Sequence, residues 1–205
     1  MTLKLIHFPL TRSFRVVWAL NELGLDAEIE TRPFEREKLK EPEYLALNPL
    51  GKTPVLFDDD KRLVESVGII EYLANKYAGG ALSRNASHAD YGEYLQWMQF
   101  GEAGMGGYVN QLLGHSFLLP EEQRVESIRR WAASEVKNCL SFMEDNLEGK
   151  DYLLGEFSLA DISVGYLLLL IKLSRNGDLM GERVKSYFDR LRARPAWIEA
   201  SSLAP

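Results

Sequence analysis

The stretch from Asn48 to Ser66 reads NPLGKTPVLFDDDKRLVES. Its centre, Gly51-Lys52-Thr53, resembles the end of a phosphate-binding P-loop. That motif needs a glycine five residues earlier, where Ala46 stands. It also needs Lys-Thr to open a helix whose amides face the phosphates. Here Pro54 follows at once, and proline pushes Thr53 toward extended geometry. Val55-Leu56-Phe57 then runs on as a strand, Asp58-Asp59-Asp60-Lys61 turns, and Arg62-Leu63-Val64 returns. The stretch is a loop followed by a hairpin, and Ser66 is placed to cap the helix behind it.

Working outward, residues 3–8 (LKLIHF) form a strand. Phe14, Val17, Trp18, Ala19 and Leu20 repeat as in a helix that Gly24 ends. Ala27 to Arg32 offers a second strand, and Glu41 to Leu47 a short helical turn. Behind Ser66, Ile69, Ile70, Leu73 and Tyr77 keep helical spacing. The order is β-α-β-α-β-β-α, an α/β thioredoxin-like arrangement over residues 1–78. A small glycine-bearing connector, residues 79–87, follows.

Beyond it the pattern is all-helical through residues 88–205. A long helical stretch over 87–114 is interrupted by glycines at 101, 104, 106 and 107. Pro120 suits the first position of the next helix, whose stripe runs Val125, Ile128, Ala132, Val136, Cys139, Met143, Leu147. Ser158-Leu159-Ala160-Asp161 is a variant capping box ahead of an apolar helix reaching Leu173. Helices over about 180–193 and from Pro195 complete the chain.

Composition limits the function. A net charge of −6 argues against a general nucleic-acid binder, which needs a basic face. A lone cysteine, Cys139, allows no internal disulfide and fits a reducing compartment. The three histidines, His7, His88 and His115, are far apart in sequence, and no metal site is expected. The most apolar run, Ile162 to Ile171, is half the length of about 20 residues that a membrane span needs. MTLKLIHF lacks the form of a secretory leader. A cytoplasmic protein with no membrane partner is expected.

Three short groups carry chemistry. Glu65-Ser66 puts a carboxylate beside a hydroxyl and the first amides of a helix. The pair suits the α-amino-acid end of a peptide, or else forms a plain cap with a solvated acid. Pro54 at a strand start is tolerable in either isomer. A cis bond would turn the Thr53 backbone groups sideways, where an extended peptide could pair with them. Thr11-Arg12-Ser13 begins the first helix, and a hydroxyl there either caps the helix or donates to a thiolate. Lowering a thiol pKa from about 8.5 to about 6.5 needs roughly 2.7 kcal/mol. One charge-assisted hydrogen bond supplies about 1.5–3 kcal/mol.

Taken in order, NPLGKTPVL, the ES pair, the connector and FSLADI resemble the cytosolic glutathione transferases, of bacterial and fungal type with a theta-like Ser/Thr turn. The resemblance spans essentially the whole chain. It implies a cis Pro54, Thr53 backbone bonds to the cysteinyl part of glutathione, and Glu65 and Ser66 on the γ-glutamyl end. It puts Lys40, helped by Lys52, near the glycine carboxylate. In the active turn it implies Thr11 as the thiolate donor, Ser13 as second choice, and Arg12 adding a positive field. The turn holds neither cysteine nor tyrosine, which disfavours both mixed-disulfide and tyrosine-type mechanisms. Leu10, Phe100, Met105, Tyr108 and Tyr166 are the candidates for an electrophile pocket, or else ordinary packing. The expected activity is conjugation of glutathione, as cosubstrate, to small electrophiles by a homodimer. The alternatives are glutathione-dependent peroxide reduction, isomerisation or ether cleavage, or a non-catalytic binding module on the same fold.

Overall fold

In the computed structural model, which describes residues 2–203, strand β1 (Leu3–His7) lies inside a four-stranded sheet. It pairs in parallel with β2 (Glu28–Thr31) and antiparallel with β3 (Val55–Asp58). Strand β4 (Lys61–Leu63) closes the order β2-β1-β3-β4 through the hairpin. Neighbouring β1 residues point to opposite faces, yet Leu5 and Ile6 are both buried, so each face is covered. Ile6, Phe8 and Val55 meet Leu39 and Tyr44, the latter from helix α2 (Pro42–Leu47). Helices α1 (Ser13–Leu23) and α3 (Ser66–Tyr77) pack on each other. Gly24 ends α1 in the left-handed conformation, φ 61°, and its N–H closes on the Leu20 and Asn21 carbonyls. This is the thioredoxin-like unit, and it comprises Met1–Ser83 and Arg194–Pro205.

The C-terminal part of that unit is α9 (Pro195–Ser202), seated on α1. Trp197 sets its ring edge-on to Phe14 at 4.9 Å and to Trp18 at 4.6 Å. Arg194 grips Glu22 through both carboxylate oxygens, at 2.6 and 2.7 Å, and Trp18 Nε1 donates to the same carboxylate.

The second unit, Arg84–Ala193, is helical. The glycines split the long stretch as their spacing suggested. Helix α4 (Tyr91–Gln99) runs into a π-turn (Phe100–Gly104), then α5 (Gly106–Leu113), then a second π-turn (Gly114–Leu118). Gly101 cannot be larger, because a β-carbon there would sit 2.2 Å from Ser163 Oγ and 2.7 Å from the Ser163 carbonyl. The expectation that Pro120 opens a helix is corrected: Pro120 precedes a 3₁₀ turn (Glu121–Gln123), and helix α6 starts only at Glu126, running to Asn146. Side chains hold the intervening chain out of the helix. Arg124 donates to the Leu119 and Phe117 carbonyls, and the Val125 N–H donates to His115 Nδ1.

Helix α7 (Leu159–Leu173) is the buried centre of this unit, flanked by α8 (Glu182–Arg192). Its capping box forms with Ser158 and Asp161. The fully buried Asp161 carboxylate accepts from the Leu153 N–H, the Ser158 N–H and hydroxyl, and the Tyr187 hydroxyl. Burial pushes its pKa up to about 6, against the pull of those donors. A raised folded pKa means that the stability this group adds is full below the ordinary value of 3.8 and lost as pH rises through about 6. Asp161→Ala leaves several buried donors unpaired, so a loss of about 3 kcal/mol in urea unfolding at neutral pH is expected. The variant is also expected to lack this group's decline in stability between pH 4 and 6, roughly, when the titration is repeated.

Candidate functional site

The strand registers gather the candidate residues at one end of the sheet. Ile6 pairs with Val55, so the chain beyond β1 runs toward Pro54 and Thr53. Leu56 pairs with Leu63, so the chain beyond β4 reaches the same level at Val64 and Glu65. The turn after β1 leads into α1, and Ser66 opens α3. Three segments, 8–13, 51–54 and 64–66, therefore converge with two helix N-termini among them.

Asn48 builds the loop before Pro54. It is 1% exposed; its Oδ1 accepts from the Leu50 N–H at 3.0 Å and its Nδ2 donates to the Lys52 carbonyl at 2.7 Å. The Tyr44 hydroxyl donates to that same carbonyl at 2.7 Å. Burial pushes the Tyr44 pKa up to about 12, so it stays a donor. Gly51 has φ 58°, and a β-carbon there would lie 2.5 Å from the Leu39 carbonyl. Lys40 crosses the loop to the Leu50 carbonyl at 3.0 Å, while the Lys52 side chain is exposed. The Thr53–Pro54 bond is cis, and Pro54 is buried. Among the described residues the Thr53 backbone has no hydrogen-bond partner.

The turn after β1 is fastened through Phe8. Its carbonyl accepts from the Thr11 N–H at 3.2 Å, the Thr11 hydroxyl at 2.8 Å and the Ser13 hydroxyl at 2.9 Å. Its N–H donates to Ser13 Oγ at 3.0 Å. Leu10 pays for this tightness with φ 60°, a left-handed conformation uncommon outside glycine. Thr11 and Arg12 are half-buried, whereas Ser13 is fully buried and engaged on every side. His7, also buried, brings Nδ1 to 2.8 Å from Ser13 Oγ. Sequence reasoning missed His7 and Asn48 as parts of the site. His7 sits in an alternating strand pattern, and Asn48 bonds only to its own loop; neither leaves a motif.

Ser66 is the first residue of α3 and not its cap; Glu65 takes the cap position, with φ 75° and ψ 99°. The Ser66 hydroxyl, 1% exposed, accepts from Arg15 Nη1 at 3.2 Å. That contact joins the start of α1 to the start of α3. Glu65 is exposed beside it. Helix α3 thus presents its first amides at the convergence, an arrangement suited to anionic groups, whereas the first α1 amides, those of Ser13, Phe14 and Arg15, are held by Thr11 and Arg12 within the turn.

Comparison with known proteins gives the family of this fold. Residues 1–75 fit the family model described as glutathione S-transferase, N-terminal domain. Glutathione S-transferase 3 of Zea mays is 32% identical over 99% of this chain and 95% of its own. The chain belongs to the glutathione S-transferase family. Glutathione S-transferase 1 of Schizosaccharomyces pombe is 36% identical over 73% of this chain and 67% of its own. A Burkholderia graminis glutathione transferase, solved with two glutathione molecules per subunit, superposes with a TM-score of 0.84 at 28% identity, covering 98% of this chain and 88% of its own.

Of the residues considered for an electrophile pocket, Leu10 is 55% exposed at the turn of the thioredoxin-like unit. The others belong to the helical unit. Phe100 is half-buried against Trp97 and Phe142, and Tyr108 meets Trp131 edge-on at 5.4 Å. Met105 and Tyr166 are buried. Cys139 is partly buried, and burial raises its thiol pKa, the opposite of what a reactive thiol needs. Among the described residues no group of His, Cys, Asp and Glu is arranged to hold a metal, and no helix is long and apolar enough to cross a membrane.

The loop before Pro54 tolerates no side chain at Gly51. Gly51→Ala meets a positive φ and a backbone carbonyl together, so a loss of about 2 kcal/mol or more is expected in denaturant unfolding. Gly107 is helical with open space around it, and Gly107→Ala is expected to be neutral or slightly stabilising in the same assay.

Proposed function

We propose that this chain is a glutathione transferase that conjugates the glutathione thiolate to small electrophiles. The observation that carries the reading is the half-buried Thr11 hydroxyl, at the same sheet end as the unpartnered Thr53 backbone and the Arg15-held Ser66. On this reading glutathione belongs to residues 1–78, with 79–87 as the linker, and the electrophile-pocket candidates Phe100, Met105, Tyr108 and Tyr166 belong to the helical region beyond it, whose last helix, α9, packs in the thioredoxin-like unit.

In this reading the cysteinyl backbone of glutathione pairs with the Thr53 N–H and carbonyl as an added strand does. Glu65 takes the ammonium of the γ-glutamyl end, and Ser66 with the first α3 amides takes its carboxylate. Lys40 and Lys52 face the glycine carboxylate. The sulfur then lies at the start of α1, where Thr11 donates its proton to the thiolate and Arg12 adds positive potential. The rate enhancement comes from holding an ionised sulfur against an electrophilic carbon. A second reading is reduction of a disulfide substrate by two bound glutathiones, favoured by the two molecules per subunit in the Burkholderia graminis relative: the first thiolate attacks the substrate disulfide and expels one substrate thiol, and the second attacks the mixed disulfide, releasing the other thiol and leaving glutathione disulfide. Both readings use the Thr11-stabilised sulfur, because the turn has no cysteine of its own. We further propose a cytoplasmic homodimer; a C₂ pairing would cover exposed apolar side chains such as Leu95 and Phe142.

Calorimetric titration with glutathione tests the ligand. Binding is expected in the parent and lost in Glu65→Ala/Ser66→Ala; equal affinity in the two proteins would sink the site. Thr11→Val tests the chemistry. The thiol pKa of bound glutathione is expected to rise by about one to two units, as loss of one charge-assisted bond requires. Below about pH 6, where the sulfur binds as the thiol, the affinity for glutathione should stay within about twofold, and the loss should grow as pH rises through the bound thiol's pKa.

A further inference from the structure

Behind the Thr11 hydroxyl lies a hydrogen-bonded chain that the thiolate reading leaves unused. His7 Nδ1 is 2.8 Å from Ser13 Oγ, and Ser13 Oγ is 3.0 Å from Thr11 Oγ1. His7 and Ser13 are 1% and 0% exposed, so neither reaches a ligand. The Phe8 peptide frames the chain, its N–H donating to Ser13 and its carbonyl lying within bonding distance of both hydroxyls, as the alternative acceptor for either proton.

Counting protons shows what the chain can do. Burial lowers the His7 pKa to about 4, so at neutral pH the ring is uncharged and carries a single N–H. Ser13 Oγ has one proton and two lone pairs, and the Phe8 N–H occupies one of them. With the ring proton on Nδ1, His7 fills the second lone pair. Ser13 must then pass its own proton to Thr11 Oγ1 or to the Phe8 carbonyl, and Thr11 cannot donate to Ser13. The Thr11 proton is left with the Phe8 carbonyl or with a sulfur outside. With the ring proton on Nε2 the order reverses. Ser13 donates to Nδ1, its free lone pair takes the Thr11 proton, and the hydroxyl turns inward.

We propose that the His7 ring carries its proton on Nδ1 and that His7 and Ser13 are positioning residues whose hydrogen-bonded chain aims the Thr11 hydroxyl outward at the glutathione sulfur. The inference rests on the reading of Thr11 as thiolate donor. No covalent bond forms or breaks in the chain; hydroxyl and imidazole protons only reorient. A Thr11 oxygen that accepts from Ser13 is also the stronger donor, since successive hydrogen bonds polarise one another.

The test is the thiol pKa of bound glutathione, read from thiolate absorbance, beside glutathione affinity by calorimetry. Ser13→Ala and His7→Leu are each expected to raise that pKa by about half a unit with affinity held, the scale of strengthening one polarised bond. His7→Asn keeps an amide donor near the Nδ1 position and should return the pKa toward the parent value. In a Thr11→Val background Ser13→Ala should add nothing, because its effect passes through Thr11. A Ser13→Ala shift that persists undiminished in that background overturns the proposal, as does a pKa equal to the parent's in both Ser13→Ala and His7→Leu. If Thr11→Val itself leaves the pKa unmoved, the donor reading fails first and the positioning roles fall with it. Should Ser13→Ala fold poorly, the contrast between His7→Leu and His7→Asn decides alone, and equal pKa values in those two variants overturn the proposal.

Discussion

The pairing of Ile6 with Val55 is the constraint on which the site depends. It sets the level at which β3 begins beside the end of β1, and so where the Asn48–Pro54 loop meets the Phe8–Ser13 turn. A slip of one residue would exchange the two faces of the strand. Leu5 and Leu56 would trade places with Ile6 and Val55, and the cluster with Leu39 and Tyr44 would lose its partners. Both faces are buried, so such a slip gains nothing that could offset the loss. Packing thus fixes the register, and the register fixes the convergence of three polar segments that do little packing themselves.

Helix α3 shows how the fold holds a helix end still. At its start, Arg15 reaches Ser66 from α1. Toward its end, the buried Asp58 carboxylate, at the last residue of β3, accepts from Tyr72, from Tyr77 at 2.6 Å and from Lys76 at 2.6 Å. Burial alone would disfavour that charge, yet the Lys76, Tyr72 and Tyr77 donors outweigh it and hold the carboxyl well below its usual range. Asp161 accepts four bonds in the helical unit, one more than Asp58, but burial wins there and its pKa rises. The difference is Lys76: a full positive charge within bonding distance is present at Asp58, while Asp161 has only neutral donors.

The sequence disclosed what local rules govern. Pro54 after Thr53 separated a strand from a P-loop helix, Gly24 ended α1, and Ser158 with Asp161 marked the start of α7. Each is a short-range pattern with one strong physical cause. Pro120 misled because its preference for a first helical turn is local, while Arg124 and His115 hold the following residues extended from several positions away. Ser66 is a related case. Its residue type suggested a cap, but Arg15, distant in sequence and adjacent in the fold, claims its hydroxyl. His7 and Asn48 were silent for a different reason, since their value lies in which atoms they face, and no residue-type pattern encodes that.

Two of the strained residues lie at the convergence. Leu10 and Glu65 are non-glycine residues with φ of 60° and 75°, one in each turn that leads into a helix at the convergence. Conformations of this kind cost about 1–3 kcal/mol each and persist only where their surroundings impose them. The surroundings here are the Phe8 bonds on one side and the Arg15–Ser66 bond with the Ile69 N–H to the Glu65 carbonyl on the other. A glycine at either place would relieve the strain but release the turn to other shapes. On the proposed reading, side chains at these positions do what glycine cannot. Leu10 offers apolar surface next to the sulfur, and Glu65 offers a carboxylate next to the first amides of α3. On that reading the convergence keeps backbone strain at Leu10 and Glu65, where a side chain would face the ligand, and takes glycine at Gly51, where the Leu39 carbonyl leaves room for none.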